Sequence, residues 1–272
     1  MDKADIDDLR YLMQRLRNPE TGCPWDLKQT FSSIVPYTLE EVYEVVDTIE
    51  REDYPHLKEE LGDLLFQVIF YSQLAEEQSL FRFEDIVSSL VEKLVLRHPH
   101  VFPGKTLESE RDIDAVSSEP AIKQTWEAIK KAERQEKGFH SILADIPISL
   151  PALTRAQKLQ KRASNHGFDW PSIDGVLDKL DEENNELKES LTLGDPDHIE
   201  EEVGDMMFTL VNLCRHLNID AETSLRKASK KFERRFHHVE ESVQVKGQKL
   251  TEIDLDGLDY LWKEAKEKES QP

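Results

Sequence analysis

The sequence of 272 residues predicts an all-α protein built as two repeated units. Apolar residues recur at three- and four-residue spacing with acids between them, which is the pattern of a two-faced helix. Only ten glycines and twelve prolines occur, mostly between the periodic runs, where they punctuate helices. No segment sustains a period of two flanked by hairpin turns.

Taken in order, Leu39, Val42, Val45, Val46 and Ile49 form the first strong run. It breaks at Asp53-Tyr54-Pro55, and Leu61, Leu64, Leu65, Val68, Ile69 and Leu74 resume the period. Ile86, Leu90, Val91, Leu94 and Val95 make a third run, which Pro99 ends because proline has no N–H to continue the helix. The polar, Ser- and Glu-rich stretch from Lys105 to Glu119 reads as a mobile loop. The charged run from Lys130 to Lys137, followed by Pro147 and Pro151, places the seam near Gly138 and predicts domains at 1–137 and 138–272.

Composition narrows the function. With 35 Lys+Arg against 56 Asp+Glu, the net charge of −21 argues against a binder of nucleic-acid backbone, whose affinity is mainly cationic. A nucleotide site is still open to an acidic protein, since a bound metal or a local basic patch reverses the field. Two widely separated cysteines, Cys23 and Cys214, exclude a disulfide framework or a four-thiolate zinc site. Met1-Asp2-Lys3-Ala4-Asp5 does not have the charged-then-apolar form of an export signal. The longest apolar stretch, Leu64 to Tyr71, is too short to cross a bilayer. The expectation is a soluble cytoplasmic protein that binds neither nucleic acid nor membrane.

The second half repeats the first. Glu40-Glu41-Val42-Tyr43-Glu44 matches Glu182-Glu183-Asn184-Asn185-Glu186 at an offset of 142, and Glu59-Glu60-Leu61-Gly62-Asp63 matches Glu201-Glu202-Val203-Gly204-Asp205 at the same offset. Lys93 and Arg97 match Lys231 and Arg235, and Trp126 with Lys130 matches Trp262 with Lys266, at slightly smaller offsets.

Glu183 with Glu186, and Glu202 with Asp205, are i, i+3 pairs, so each pair shares one helix face. Gly194-Asp195-Pro196 turns the chain back, which predicts an antiparallel hairpin with all four carboxylates converging at one height. A single acidic pair is most often a solvated face. Four carboxylates repeated in both halves are better explained by a cation that neutralises them, and oxygen ligands without thiolate or imidazole select Mg²⁺ or Mn²⁺. Asp63 and Asp205, directly before bulky apolar residues, are expected at the edge of the core face. Glu41, Glu44, Glu60 and Asp63 form the corresponding set of the first half.

A basic helix complements the acids. Lys231 and Arg235 lie at i, i+4, with Lys227, Lys230 and Arg234 alongside, a pattern suited to clamping a polyphosphate and equally to salt bridges with neighbouring acidic helices. Trp262 has the helical spacing of a core residue with Leu258 and Leu261 and the ring to stack on a base. Gly104-Lys105-Thr106 is a decoy for a phosphate loop, because Pro99 stands where the first glycine is required. No G-x-G-x-x-G, G-x-S-x-G or H-E-x-x-H occurs, which removes dinucleotide oxidoreductase, serine hydrolase and zinc peptidase readings.

The duplicated acid pattern resembles the MazG family of nucleoside triphosphate pyrophosphohydrolases. Gly22-Cys23-Pro24-Trp25-Asp26, Arg97-His98-Pro99-His100-Val101-Phe102, Gly167-Phe168-Asp169-Trp170 and Lys231-Phe232-Glu233-Arg234-Arg235-Phe236 extend the likeness from about Leu9 to Trp262. The resemblance implies two tandem MazG domains of helical-bundle fold, a homodimer, and Mg²⁺-dependent cleavage of nucleoside triphosphates between the α- and β-phosphates. It assigns metal-ligand roles to Glu183, Glu186, Glu202 and Asp205. Glu182 and Glu201 become candidates to position or deprotonate water, and Lys179, Lys231, Arg235 and Trp262 candidates for substrate contact. The longer basic helix favours the second half as the catalytic one. Two rival readings stay open: a helical module that senses nucleotide or binds a regulatory protein without turnover, and a pyrophosphohydrolase of alarmones.

Overall fold

A computed structural model of the chain describes residues 3–111, 118–136, 138 and 141–269. Among these residues there are ten α-helices, two short 3-10 turns and no strand. The chain divides into two compact units, Met1–Lys131 and Ala132–Pro272. Residue 137, at the expected seam, and 112–117 of the expected loop lie outside the described residues; of the rest of that loop, 105–111 and 118 are not helical, while Glu119 already opens a helix.

In the first unit, α1 (Ile6–Leu16), α2 (Phe31–Glu50), α3 (Tyr54–Glu77) and α4 (Phe83–Arg97) are followed by α5 (Glu119–Glu136), which leads out of the unit. Capping residues set the starts. Thr30 accepts the Ser33 N–H at 3.2 Å to open α2, and Asp53 caps α3 just before Pro55, where a missing N–H costs nothing. α3 packs against α1, α2 and α4. Met13, Ile34, Ile69, Phe70 and Leu74 form the buried centre, flanked by Leu9, Phe31, Phe66, Tyr71 and Phe83. Beside it, buried Arg17 grips Glu77 with two hydrogen bonds, 2.9 and 2.6 Å, and its guanidinium lies 5.5 Å from the Phe70 ring centre. α4 ends at Arg97, two residues before Pro99.

The second unit holds α6 (Ala152–Ser164), α7 (Ile173–Leu193), α8 (Pro196–His216), α9 (Ala221–Val245) and α10 (Leu255–Glu269). α7 and α8 make the expected hairpin: Gly194 ends α7 in the left-handed conformation at φ +73°, and Asp195 caps α8 ahead of Pro196. α9 packs on α10 around Val239, Val243 and Leu261, with Leu250, Ile253, Leu258 and Trp262 closing that cluster. α6 touches both α8 and α9. Its Gln160 donates to the Phe208 carbonyl at 2.8 Å, and Gln157 donates to the Ile219 carbonyl at 3.0 Å. Asp169, in the segment leading into α7, accepts two hydrogen bonds from Arg215 and one of 3.0 Å from His216 at the end of α8. The two cysteines are half-buried free thiols, one in each unit. No helix is long and apolar enough to cross a membrane among the described residues.

Candidate functional site

The turn at Gly194-Asp195-Pro196 brings the inner faces of α7 and α8 together two turns of helix away. There Glu183, Glu186 and Glu202 each offer a carboxylate oxygen, all within 4.8 Å of one another. Glu183 is 4 % and Glu202 7 % exposed, and Glu186 is half-buried. Buried carboxylates so close together repel unless something positive joins them. Burial, reinforced by the charges of Glu202, Glu182 and Glu183, pushes the Glu186 carboxyl above its ordinary range even though Lys179 pulls the other way.

Asp205, the fourth acid of the expected set, is exposed and lies outside this trio. Three residues along a helix is a rotation of about 60° short of a full turn. Asp63 has the same spacing from Glu60 and is equally exposed, yet it joins its own trio, so the difference lies in the surroundings of the two hairpins and not in the spacing.

Lys179 lies one turn before Glu183. Its ammonium contacts Glu182 at 2.8 Å and Glu183 at 2.9 Å, which hold its pKa well above the ordinary lysine value. This residue, assigned to substrate by the resemblance, here neutralises part of the acid cluster. Glu182 and Glu201, the acids expected to act on water, are both exposed at the trio's margin. His198, one turn before Glu202, places Nε2 3.0 Å from a Glu202 oxygen and Nδ1 3.2 Å from Ser190 Oγ. The sequence reading passed over His198. Its signal was the i, i+4 spacing to a candidate ligand, which puts both side chains on one face.

The first unit builds a related but different trio. Glu41, Glu60 and Asp63 gather within the same 4.8 Å. Glu44 stands outside the trio, although its charge, after burial, raises the Glu60 carboxyl. Tyr37 stands at the position of Lys179 and Gln67 at that of Thr209. The Gln67 amide donates to Glu41 at 3.4 Å, and its own oxygen is buried without a hydrogen-bond partner. Glu41 is raised above its ordinary range by burial and by the charges of Asp63 and Glu44.

The basic residues form a separate surface on α9. Arg235 Nε donates to Glu269 of α10 at 2.8 Å, and its guanidinium lies 5.8 Å from the Trp262 ring centre. Phe232 packs 5.2 Å from the same ring, while Lys231 is exposed. None of the ion pairs of Lys231 or Arg235 among the described residues reaches the carboxylate trio. Trp262 therefore belongs to the α9–α10 cluster, half-buried between Phe232 and Arg235.

Comparison with known proteins agrees with this architecture. The model of the MazG nucleotide pyrophosphohydrolase domain matches twice, at residues 29–102 and 172–240, and each match spans one acid hairpin. The chain belongs to the MazG family. It is 50 % identical over 266 residues to the nucleoside triphosphate pyrophosphohydrolase of Escherichia coli K12, covering 97 % of this chain and 98 % of that protein. It is 42 % identical over 264 residues to the nucleoside triphosphate pyrophosphohydrolase/pyrophosphatase MazG of Thermotoga maritima, covering 96 % and 95 %. YabN of Bacillus subtilis is 39 % identical over 266 residues, which are 97 % of this chain and 52 % of that longer protein. Both MazG domains thus contain a complete acid motif, and the surroundings of the two trios distinguish them.

Proposed function

We propose that the chain is a nucleoside triphosphate pyrophosphohydrolase of broad base specificity, dependent on Mg²⁺ with Mn²⁺ as a substitute, and that the α7–α8 hairpin is its catalytic centre. The domains are assigned to 1–137 and 138–272. The observation that carries the reading is the buried trio Glu183, Glu186 and Glu202 inside the second matched segment. Its chemistry fits a hard divalent cation: three carboxylate oxygens, no sulfur ligand, and burial that makes an unneutralised state costly.

Glu183, Glu186 and Glu202 would hold the cation, with Asp205 turning in as a further ligand. When bound, the cation neutralises charge on the phosphate oxygens and acidifies water. Glu182 and Glu201, each next to a trio acid in sequence, would orient the attacking water and take its proton. Attack at the α-phosphorus breaks the bond to the bridging oxygen, so the products are a nucleoside monophosphate and pyrophosphate. Lys231 and Arg235 supply positive charge for the β- and γ-phosphates, and Trp262 an aromatic face for the base. Lys179 then exchanges its carboxylate partners for a phosphate oxygen.

A homodimer is part of the same reading. Leu39, Val42 and Tyr43 of α2 and Leu61, Leu65 and Val68 of α3 are exposed, and Met207, Phe208 and Leu210 of α8 likewise. Apolar exposure on this scale is better covered by a second copy than left in water.

Product analysis from ATP and Mg²⁺ tests the proposal. AMP plus pyrophosphate is expected, abolished by Glu202→Ala and retained by Glu60→Ala. ADP plus phosphate overturns the site of cleavage, and nucleotide binding without any product transfers the weight to a sensor. Loss in Glu60→Ala with activity intact in Glu202→Ala moves the catalytic centre to the first unit.

A further inference from the structure

We infer that His198 is a positioning residue for Glu202, and that its imidazole sets the cation affinity of the second-unit trio. The inference rests on the reading of that trio as the metal centre. His198 and Glu202 share a face of α8 at i, i+4, and Nε2 lies 3.0 Å from the Glu202 carboxylate. The ring is itself anchored from the opposite helix, because Ser190 of α7, wholly buried, sits 3.2 Å from Nδ1. Nε2–H donates to Glu202, and Nδ1 lies against the oxygen of Ser190, whose hydroxyl donates to the Glu186 carbonyl at 2.9 Å. The chain Ser190–His198–Glu202 therefore ties the ligand side chain to both helices of the hairpin.

This arrangement has a physical consequence. A glutamate free to rotate loses side-chain entropy when it is fixed as a ligand. One whose oxygen is already held by an N–H has largely met that cost in folding, and its other oxygen stays available. The bond also spreads part of the carboxylate charge onto the ring, which eases the crowding of three acids.

The first unit contains the same residue type at the same offset, paired differently. His56 stands where His198 does, but its Nδ1 bonds Asp53, the cap of α3, at 2.6 Å. Thr48, in the place of Ser190, gives its hydroxyl to main-chain carbonyls of α2 at 3.1 and 2.9 Å, as Ser190 does to Glu186, but among the described residues it makes no hydrogen bond to the histidine. Among the described residues no imidazole hydrogen-bonds Glu60, although the His56 ring acts on it through its charge. The acid motifs match between the units, whereas among the described residues this bridge is present only in the second.

The test is Mn²⁺ binding to the full chain without nucleotide, read by electron paramagnetic resonance of the free ion. Subtracting the isotherm of Glu202→Gln from that of the wild type defines the second-unit site. His198→Ala is expected to weaken that site about 10- to 100-fold. It should shift the Mg²⁺ activation curve equally, while kcat at saturating Mg²⁺ and the nucleotide KM stay within about threefold. His198→Gln, with an amide N–H in place of the ring, should recover part of the loss, and His56→Ala should change nothing.

Unchanged Mn²⁺ affinity in His198→Ala overturns the inference, as does a loss confined to kcat or an equal loss in His56→Ala. If His198→Ala unfolds, Ser190→Ala and His198→Gln decide by the same readouts. Failure of the metal-centre reading looks different: Glu202→Gln would then leave both isotherm and hydrolysis unaltered.

Discussion

The two hairpins carry the same acids and differ in what stands around them. In the second unit Lys179 and His198 each touch a carboxylate of the trio, and Ser190 anchors the imidazole from α7. In the first, tyrosine replaces the lysine, the histidine turns to the helix cap, and the glutamine at position 67 supplies the amide contact. Even the membership differs: Glu186 belongs to one trio and Asp63 to the other, although each has a counterpart in the opposite unit. A duplicated motif thus specifies a ring of acids, and its neighbours decide which of them converge and how their charge is met.

The sharpest way to break this comparison is to remove matching ligands. Glu183→Gln is expected to lower kcat by about 10³-fold, because a buried neutral amide replaces a charged ligand. Glu41→Gln should leave kcat within twofold. Steady-state pyrophosphate release at saturating Mg²⁺ measures both, and equal losses would make the two units equal partners. Next in size is the basic helix. Arg235→Ala should raise the nucleotide KM by about 10- to 100-fold, the scale of one lost charge-assisted hydrogen bond to phosphate. Lys93→Ala in the first unit should leave KM unchanged if that unit binds no substrate during turnover.

The helical class, the hairpin turn and the duplicated acids were legible because each depends on local rules. Period, caps and the Gly-Asp-Pro turn act within a few residues of where they are written. The different places of Asp205 and Asp63 were not legible, since the two hairpins carry the same spacing and only one of the two aspartates joins a trio. Spacing places Glu202 and Asp205 on one face, but a face is wide enough to hold one inward and one outward side chain. Lys179 and His198 show the converse. Their i, i+4 relation to Glu183 and Glu202 was readable, but choosing them over other charged neighbours required knowing which carboxylates are buried.

A third contrast concerns the clamps that hold each bundle. Arg17–Glu77 joins α1 to α3 in the first unit, and Asp169 joins the segment before α7 to the end of α8 in the second. Hydrogen bonds from Arg215, then from His216, together with their charges, hold the Asp169 carboxyl below the ordinary aspartate range. A depressed carboxyl pKa contributes stability that is present above the unfolded value and lost as pH falls through the folded one. Asp169→Asn should therefore cost about 2 kcal/mol at neutral pH, and the difference from wild type should vanish in acid. Urea unfolding monitored at both pH values checks this. A constant difference would mean that the side chain acts by packing alone.

The smallest effect comes from one residue in the hairpin turn. Gly194 and Glu52 occupy the same position at the offset of 142, directly before the aspartate cap of the second helix, and both adopt positive φ, +73° and +57°. Glycine has no side-chain clash in that conformation, while glutamate is strained by about 1 kcal/mol. A side chain at position 194 would meet nothing within 4 Å, so the cost of adding one there is conformational and not steric. Glu52→Gly should then stabilise the first unit, less the greater freedom glycine gives the unfolded chain, and Gly194→Ala should destabilise the second by about 1 kcal/mol. Paired thermal melts of the two variants compare these turns directly. If Glu52→Gly destabilises instead, the glutamate side chain contributes more to its hairpin than its backbone strain removes, and the two turns are held by different means.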